Sequence, residues 1–308
     1  MTRGDGVPEP RLPPGRELEL PGRGTTFVRE LVGPTPDAPT LLLLHGWTAS
    51  ADLNWFASYF PLAKHFRIVA IDHRGHGSGI RSRRRFRLAD CADDAAATAA
   101  ALGIDRYIPV GYSMGGPIAQ LLTKQHADHV IGLVLCATAA KFASTREERL
   151  SFIGITGLAA IARYTPVQAR QWLTTQMYLK GKEGVWEPWA IQQVARHEWR
   201  TVLEAGRAIG TFTSLSWIGE LNVPVSVVMT MRDHVVPLRR QLRLFEAIPG
   251  AEAFRVDGDH DACIANVDQF VPTLVRAARS VIERAGEQRA HSDTAPRATA
   301  QLDASSNA

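Results

Sequence analysis

The run 40–44, Thr-Leu-Leu-Leu-Leu, is apolar without alternation, which predicts a strand covered on both faces. The runs 66–71, 106–110, 130–136 and 223–230 have the same character. Between them the period changes, and 52–65, the Ala-rich 88–102 and 117–122 predict helices. This alternation predicts an α/β fold, a mostly parallel sheet with right-handed crossovers and helices on both faces. Ahead of it, 17–20 and 25–32 alternate as two strands around Pro21-Gly22-Arg23-Gly24, a hairpin. From 141 to 218 only helical patterns occur, which predicts an inserted helical cap. A helix at 238–248, a last strand at 253–256 and a closing helix at 267–284 complete the pattern.

The domain plan is then a flexible N-terminal segment 1–16, a core of 17–140 and 219–285, the cap 141–218 and a disordered tail 286–308. Pro8, Pro10, Pro13 and Pro14 break the first segment, and the tail is poor in apolar residues. With 308 residues, 45% hydrophobic and 21% charged, the chain has ordinary globular composition. A net charge of +4 is too small and too dispersed to imply nucleic acid. Cys91, Cys136 and Cys263 are far apart, which argues against a disulfide framework and for a reducing compartment. There is no signal-peptide core and no run of the ~18 apolar residues a membrane span needs. The reading is a cytoplasmic protein of open oligomeric state.

Chemistry concentrates where the predicted strands end. Gly111-Tyr112-Ser113-Met114-Gly115-Gly116 joins a buried strand to a helix, so Ser113 sits on a sharp turn that needs small neighbours on either side. Such a turn exposes a hydroxyl beside a helix N-terminus, where negative charge is favoured. A serine nucleophile needs a base, and the base needs a carboxylate. Of the ten histidines, His260 lies on the loop after the last strand, and the others fall in helices, in the cap or tail, ahead of the serine, or directly beside Asp233. Asp233 ends a buried strand and is the candidate acid, with Asp257, Asp259 and Asp261 as competitors close to the base. If Asp259 or Asp261 faced the imidazole, its charge would favour the protonated form.

The order serine, acid, histidine accompanies His45-Gly46-Trp47, Asp72-x-Arg74-Gly75-His76-Gly77, Val236-Pro237 and Gly258-x-His260. With these motifs the chain resembles the α/β-hydrolase-fold superfamily, serine hydrolases of esterase and lipase-like type with a helical cap, over roughly 17–283. The resemblance implies Ser113 as nucleophile, Asp233 as orienting acid and His260 as general base and acid, with the backbone N–H groups of Trp47 and Met114 as oxyanion hole. Asp72, Arg74 and His76 are loop-fixing residues in it. Tyr112, where His is frequent in relatives, is expected to line the pocket with Trp47. Thr230 and Asp259 depart from the usual small residues and are expected to reshape the site locally.

Weaker signals add little. The basic run 81–87 reads as a solvated loop, and Asp72, His73 and His76 make only a fragment of a metal site. The Gly runs lack dinucleotide spacing, so no cofactor and no metal are expected. Five of the seven tryptophans and the apolar stretch 152–162 lie in the cap; the tryptophans are expected to pack its helices onto each other and onto the body, an apolar roof over the site is the alternative, and lipid contact through the cap stays open. The expected function is hydrolysis of a carboxylic ester of a largely apolar small molecule. Acyl transfer, C–C cleavage or perhydrolysis by the same residues, and a non-catalytic ligand-binding role, are the alternatives.

Overall fold

The computed structural model describes residues 9–143, 145, 147–148 and 187–294. Strands β1 (Gly15–Leu20) and β2 (Gly24–Leu31) form the expected hairpin, with Arg23 N–H donating to the Leu20 carbonyl at 2.9 Å. They lead into β3 (Thr40–Leu44), β4 (Arg67–Ile71), β5 (Ile108–Tyr112), β6 (Leu133–Cys136), β7 (Val225–Thr230) and β8 (Glu252–Val256). The sheet order is β1-β2-β4-β3-β5-β6-β7-β8, antiparallel at β1, β2 and β4 and parallel from there on.

The unalternating apolar strands are explained by two apolar layers, one on each face. Leu42 and Leu44 point into a cluster with Val69, Leu135 and Val227, while Leu41 and Leu43 point into the opposite one with Ala70, Val110 and Val134. Helices α3 (Leu88–Ala101) and α4 (Gly115–Gln125) cover the first face through Ala92, Ala95, Ile118 and Leu122. Helices α1 (Ala51–Trp55) and α2 (Tyr59–Ala63) cover the other, with Trp55, Tyr59 and Leu62 packed beside Phe270 and Leu274. Strands β3 to β7 are therefore buried on both faces, which is why period 2 is absent from their sequences.

Several boundaries differ from the sequence reading. The helix expected over 52–65 is two short ones, because Pro61 has no N–H to donate and is tolerated only in a first turn, so the helix restarts at Tyr59. Strand β5 starts two residues later than expected and extends to Tyr112, which still pairs with Cys136, leaving Ser113 as the first residue past the strand. The segment before β1 is partly packed: Pro10 and Pro13 are buried, and the Pro13 carbonyl accepts from Arg29 at 2.5 Å. The closing helix runs over Val267–Thr294, past the expected start of a disordered tail at 286, since Gly286 is followed by the good helix formers Glu287, Gln288 and Arg289.

In the inserted segment, α5 (Glu187–Ala195) and α6 (Trp199–Thr211) are helical as expected. Helix α6 places Ala205 and Ile209 in the cluster that holds Met114, and Trp189 packs edge-on against Phe56. The stretch 152–162, Trp172 and Trp186 lie outside the described residues. Among the described residues no helix is long and apolar enough to cross a membrane.

Candidate active site

The chain runs from β3 to β4 on one side and then returns past β3 to β5 on the other. The loops after β3 and β5 therefore diverge and leave a crevice at the carboxyl edge, where ligands bind in open α/β sheets. Ser113 stands at that point with φ of 52°, a left-handed conformation costing on the order of 1 kcal/mol for a non-glycine residue. The turn is over-determined. Ser113 N–H donates to the Cys136 carbonyl at 3.0 Å, and the Ser113 carbonyl accepts from Gly116 N–H at 2.9 Å and Thr138 Oγ1 at 2.7 Å. A Cβ at Gly111 would strike the Gly115 carbonyl, and one at Gly115 would strike the Leu44 carbonyl. The two glycines let strand, turn and helix approach at backbone distance.

His260 and Asp233 meet this serine. Ser113 Oγ is 2.9 Å from His260 Nε2, and His260 Nδ1 is 2.8 Å from Asp233 Oδ2. A carboxylate can only accept, so Nδ1–H donates to Asp233 and Nε2 is left to accept from the serine hydroxyl. The Asp233 side chain is fully buried and that of His260 is 21% exposed. Asp233 Oδ1 accepts from the N–H groups of Val235 and Val236 at 2.9 and 2.7 Å, and Oδ2 also accepts from Thr230 Oγ1 at 2.7 Å.

Asp259 turns elsewhere. Its carboxylate accepts from the backbone N–H of His234 and of His260 and faces the His234 ring at 2.9 Å. Its pKa is about 2: partial burial works against the charge, but these hydrogen bonds outweigh it. Asp257 pairs with Arg232 at 2.9 Å. Tyr112 also departs from expectation. It is 2% exposed, with its ring edge-on to Trp55 and Phe270 and its hydroxyl donating to the His260 carbonyl at 2.7 Å, so it supports the histidine loop from below instead of lining a pocket.

On the far side of the crevice Gly46 lies so close that a Cβ there would sit 3.3 Å from the Ser113 Cβ. Asn54 Oδ1 accepts from Gly46 N–H at 2.8 Å and fixes the start of this loop. Trp47 follows, and its indole N–H donates to the Val202 carbonyl of α6 at 2.6 Å. Met114 opens α4 on the opposite side and is fully buried.

Residues 39–155 match the family model for the alpha/beta hydrolase fold. The chain has the α/β-hydrolase fold. It is 28% identical over 249 residues to a protein named as the carbamate hydrolase RutD of Agrobacterium fabrum, covering 78% of this chain and 93% of that one. It is 25% identical over 252 residues to a pimeloyl-[acyl-carrier protein] methyl ester esterase of Vibrio atlanticus, covering 78% and 95%. The enol-lactonase of Burkholderia xenovorans LB400 superposes with a TM-score of 0.69 at 23% identity, covering 86% of this chain and all of that one.

Two groups in this α/β-hydrolase-fold protein escape a reading of spacing alone. Gln241 is fully buried in α7 (Leu238–Glu246), where its amide donates to the Thr230 hydroxyl and the Val236 carbonyl at 2.9 and 2.8 Å and accepts from Thr230 N–H at 3.0 Å. Thr230, one of the departures from the usual small residues, thus helps to hold Asp233. The available signal was a glutamine three residues before Leu244, on the helix's apolar stripe.

The second group is a buried set of imidazoles, His45, His73, His76 and His197, with neighbouring ring centroids 4.2 to 5.4 Å apart. Asp72, beside it, accepts from Ala51 and Ser78 N–H at 2.8 and 2.7 Å, which makes it the loop-fixing residue the resemblance implied. Among the described residues no group of three or more His, Cys, Asp and Glu is arranged to hold a metal ion.

Burial holds His45 down at about 3 and His197 at about 4, and holds His73 and His76 well below the usual range. The unfolded chain protonates all of these near pH 6.5. Their contribution to stability is therefore full above ~6.5 and is lost as pH falls toward 4, the unfolded state binding the extra protons. Asp72, pushed up to about 6 by burial, works in the opposite direction, but it is one group against four. The melting temperature should fall by more than ~5 °C from pH 7 to pH 5. A melting temperature unchanged over that interval would contradict neutral burial of these rings.

Proposed function

We propose that this protein is a serine hydrolase that cleaves a carboxylic ester of a largely apolar small molecule through an acyl-enzyme. The observation that carries this reading is the continuous chain from Ser113 Oγ through His260 to Asp233, with the serine on a strained turn at the sheet's switch point. Ser113 Oγ attacks the ester carbonyl carbon while His260 Nε2 takes the hydroxyl proton. The negative charge on the former carbonyl oxygen is held by the N–H groups of Met114 and Trp47. The imidazolium, stabilised by Asp233, gives its proton to the departing alkoxide oxygen as the C–O bond breaks. Water, deprotonated by His260, then attacks the acyl-serine and releases the acid, restoring Ser113 O–H.

An apolar substrate is supported by α6, whose Ala205 and Ile209 share one apolar cluster with Met114 and with Trp47 at its margin. Ester chemistry is supported by the relative named as a methyl ester esterase. A carbamate is the second reading, favoured by the relative named as a carbamate hydrolase, because the same nucleophile and base serve both acyl groups.

Ser113 should react with a fluorophosphonate probe, adding the phosphonyl mass to the peptide that contains it. Absence of that adduct at saturating probe would overturn the reading. Relative turnover of p-nitrophenyl esters of increasing acyl length and of a p-nitrophenyl carbamate then separates the two substrate classes.

A further inference from the structure

The Ser113 turn is held by Cys136 and Thr138, and the opposing loop 45–50 is held at its start by Asn54 and by His73, whose N–H donates to His45 Nε2 at 2.9 Å, and further along by a more distant residue. In this loop Thr48 has φ of 61°, a left-handed conformation that a β-branched residue adopts only under constraint. The Trp47 N–H belongs to the Gly46–Trp47 peptide, whose carbonyl lies 2.7 Å from His45 Nδ1 and accepts from Ala49 N–H at 3.4 Å, and Ala49 N–H shares one peptide with the Thr48 carbonyl, so holding that carbonyl also positions the Trp47 N–H. The Thr48 hydroxyl donates to the Trp47 carbonyl, and the Thr48 carbonyl is held by a residue 149 positions away, His197, whose Nε2 lies 2.8 Å from it. The other ring nitrogen of His197 accepts from Gly77 N–H at 2.8 Å. A backbone N–H on one side and a carbonyl on the other permit a single neutral tautomer, with the proton on Nε2. His197 is 5% exposed, and burial keeps it uncharged near neutral pH, as both bonds require.

The neighbours of His197 hold the loop after β4 and the Trp47 ring as well. Glu198 N–H donates to the Gly75 carbonyl at 2.7 Å, and a Cβ at Gly75 would run into Thr201. Gly206 lies against the Trp47 ring, where a Cβ would sit 2.6 Å from Cζ2, and the indole N–H reaches Val202. The Trp47 side chain and the Thr48–Ala49 peptide are thus both held by 197–206, a piece of the inserted segment and not of the sheet.

We propose that His197 is a positioning residue for ester cleavage: it clamps the Thr48 carbonyl and so aims the Trp47 N–H at the oxyanion. This rests on the ester-hydrolase reading above. Its consequence is that docking of the inserted segment assembles half of the oxyanion site, so turnover depends on a contact that touches no substrate.

Two variants separate the clamp from general packing. In His197→Gln the side-chain amide N–H reaches the place of Nε2 and keeps the bond to Thr48. In His197→Asn the amide oxygen takes the place of Nδ1 and keeps only the bond from Gly77. His197→Asn should lower kcat by about tenfold with KM within about threefold, because a displaced oxyanion donor is lost from the transition state alone. His197→Gln should stay within about threefold of wild type in kcat. The amide resonance of Trp47 in a 1H–15N spectrum should move in the Asn variant and hold in the Gln variant. Equal kcat losses in both variants, a change confined to KM, or an unmoved Trp47 amide in His197→Asn would overturn the clamp. If the wild-type chain cleaves no ester, the functional reading fails separately, and the Trp47 amide alone decides the clamp.

Discussion

Ser113→Ala should lower kcat for a cleaved ester by roughly a million-fold while leaving the fold intact. The size of the loss follows from the proposed role of Oγ as the atom that forms the acyl bond. Retention of the fold follows from the bonds that remain. The hydroxyl contacts His260, whereas the strained turn is held by the N–H bond to Cys136 and by the Ser113 carbonyl, which accepts from Gly116 and Thr138. None of these involves Oγ. Alanine at φ of 52° is strained about as serine is, so the melting temperature should stay within a few degrees. The measurement is ester turnover together with thermal unfolding followed by circular dichroism. Turnover within tenfold of wild type in a folded variant would exclude Ser113 as nucleophile.

Asp233→Asn should cost roughly 10⁴-fold in kcat, by reversing a tautomer. The Val235 and Val236 N–H groups require an acceptor at Oδ1, which places the new amide NH₂ where Oδ2 faces His260. A donor in that position drives the imidazole proton to Nε2, and Nε2 can then no longer accept from Ser113 O–H. Asp259→Asn serves as the control. Its carboxylate faces His234 and backbone N–H groups, so kcat should change by less than about threefold. The opposite ranking of the two variants would assign the orienting carboxylate to Asp259.

Much of the arrangement was legible because its constraints are local. Gly111 and Gly115 flank Ser113 because the backbones touch there, and such a demand shows in spacing. The double burial of β3 appears as an unbroken apolar run for the same reason. Other features were not legible. Tyr112 alternates off the strand into the layer beneath the site, yet a single aromatic beside the nucleophile reads equally well as a pocket wall. Thr230 and Gln241 are 11 positions apart and meet only because β7 and α7 pack on each other. Pro61 was visible, but its division of a helix needed the observed restart at Tyr59.

The sequence by itself determined the alternation of strands and helices, the sharp turn at Ser113 and the residue types able to act with it, since each follows from neighbours within a few positions. Only the tertiary structure decided that the Asp233 and not the Asp259 carboxylate faces the His260 ring, that Tyr112 lies under the site, and that His197 reaches Thr48 from the inserted segment. Those choices depend on the direction in which side chains leave the ends of strands and on the strand order that makes the ends neighbours. Local sequence specifies neither of these, whereas packing of the whole sheet specifies both.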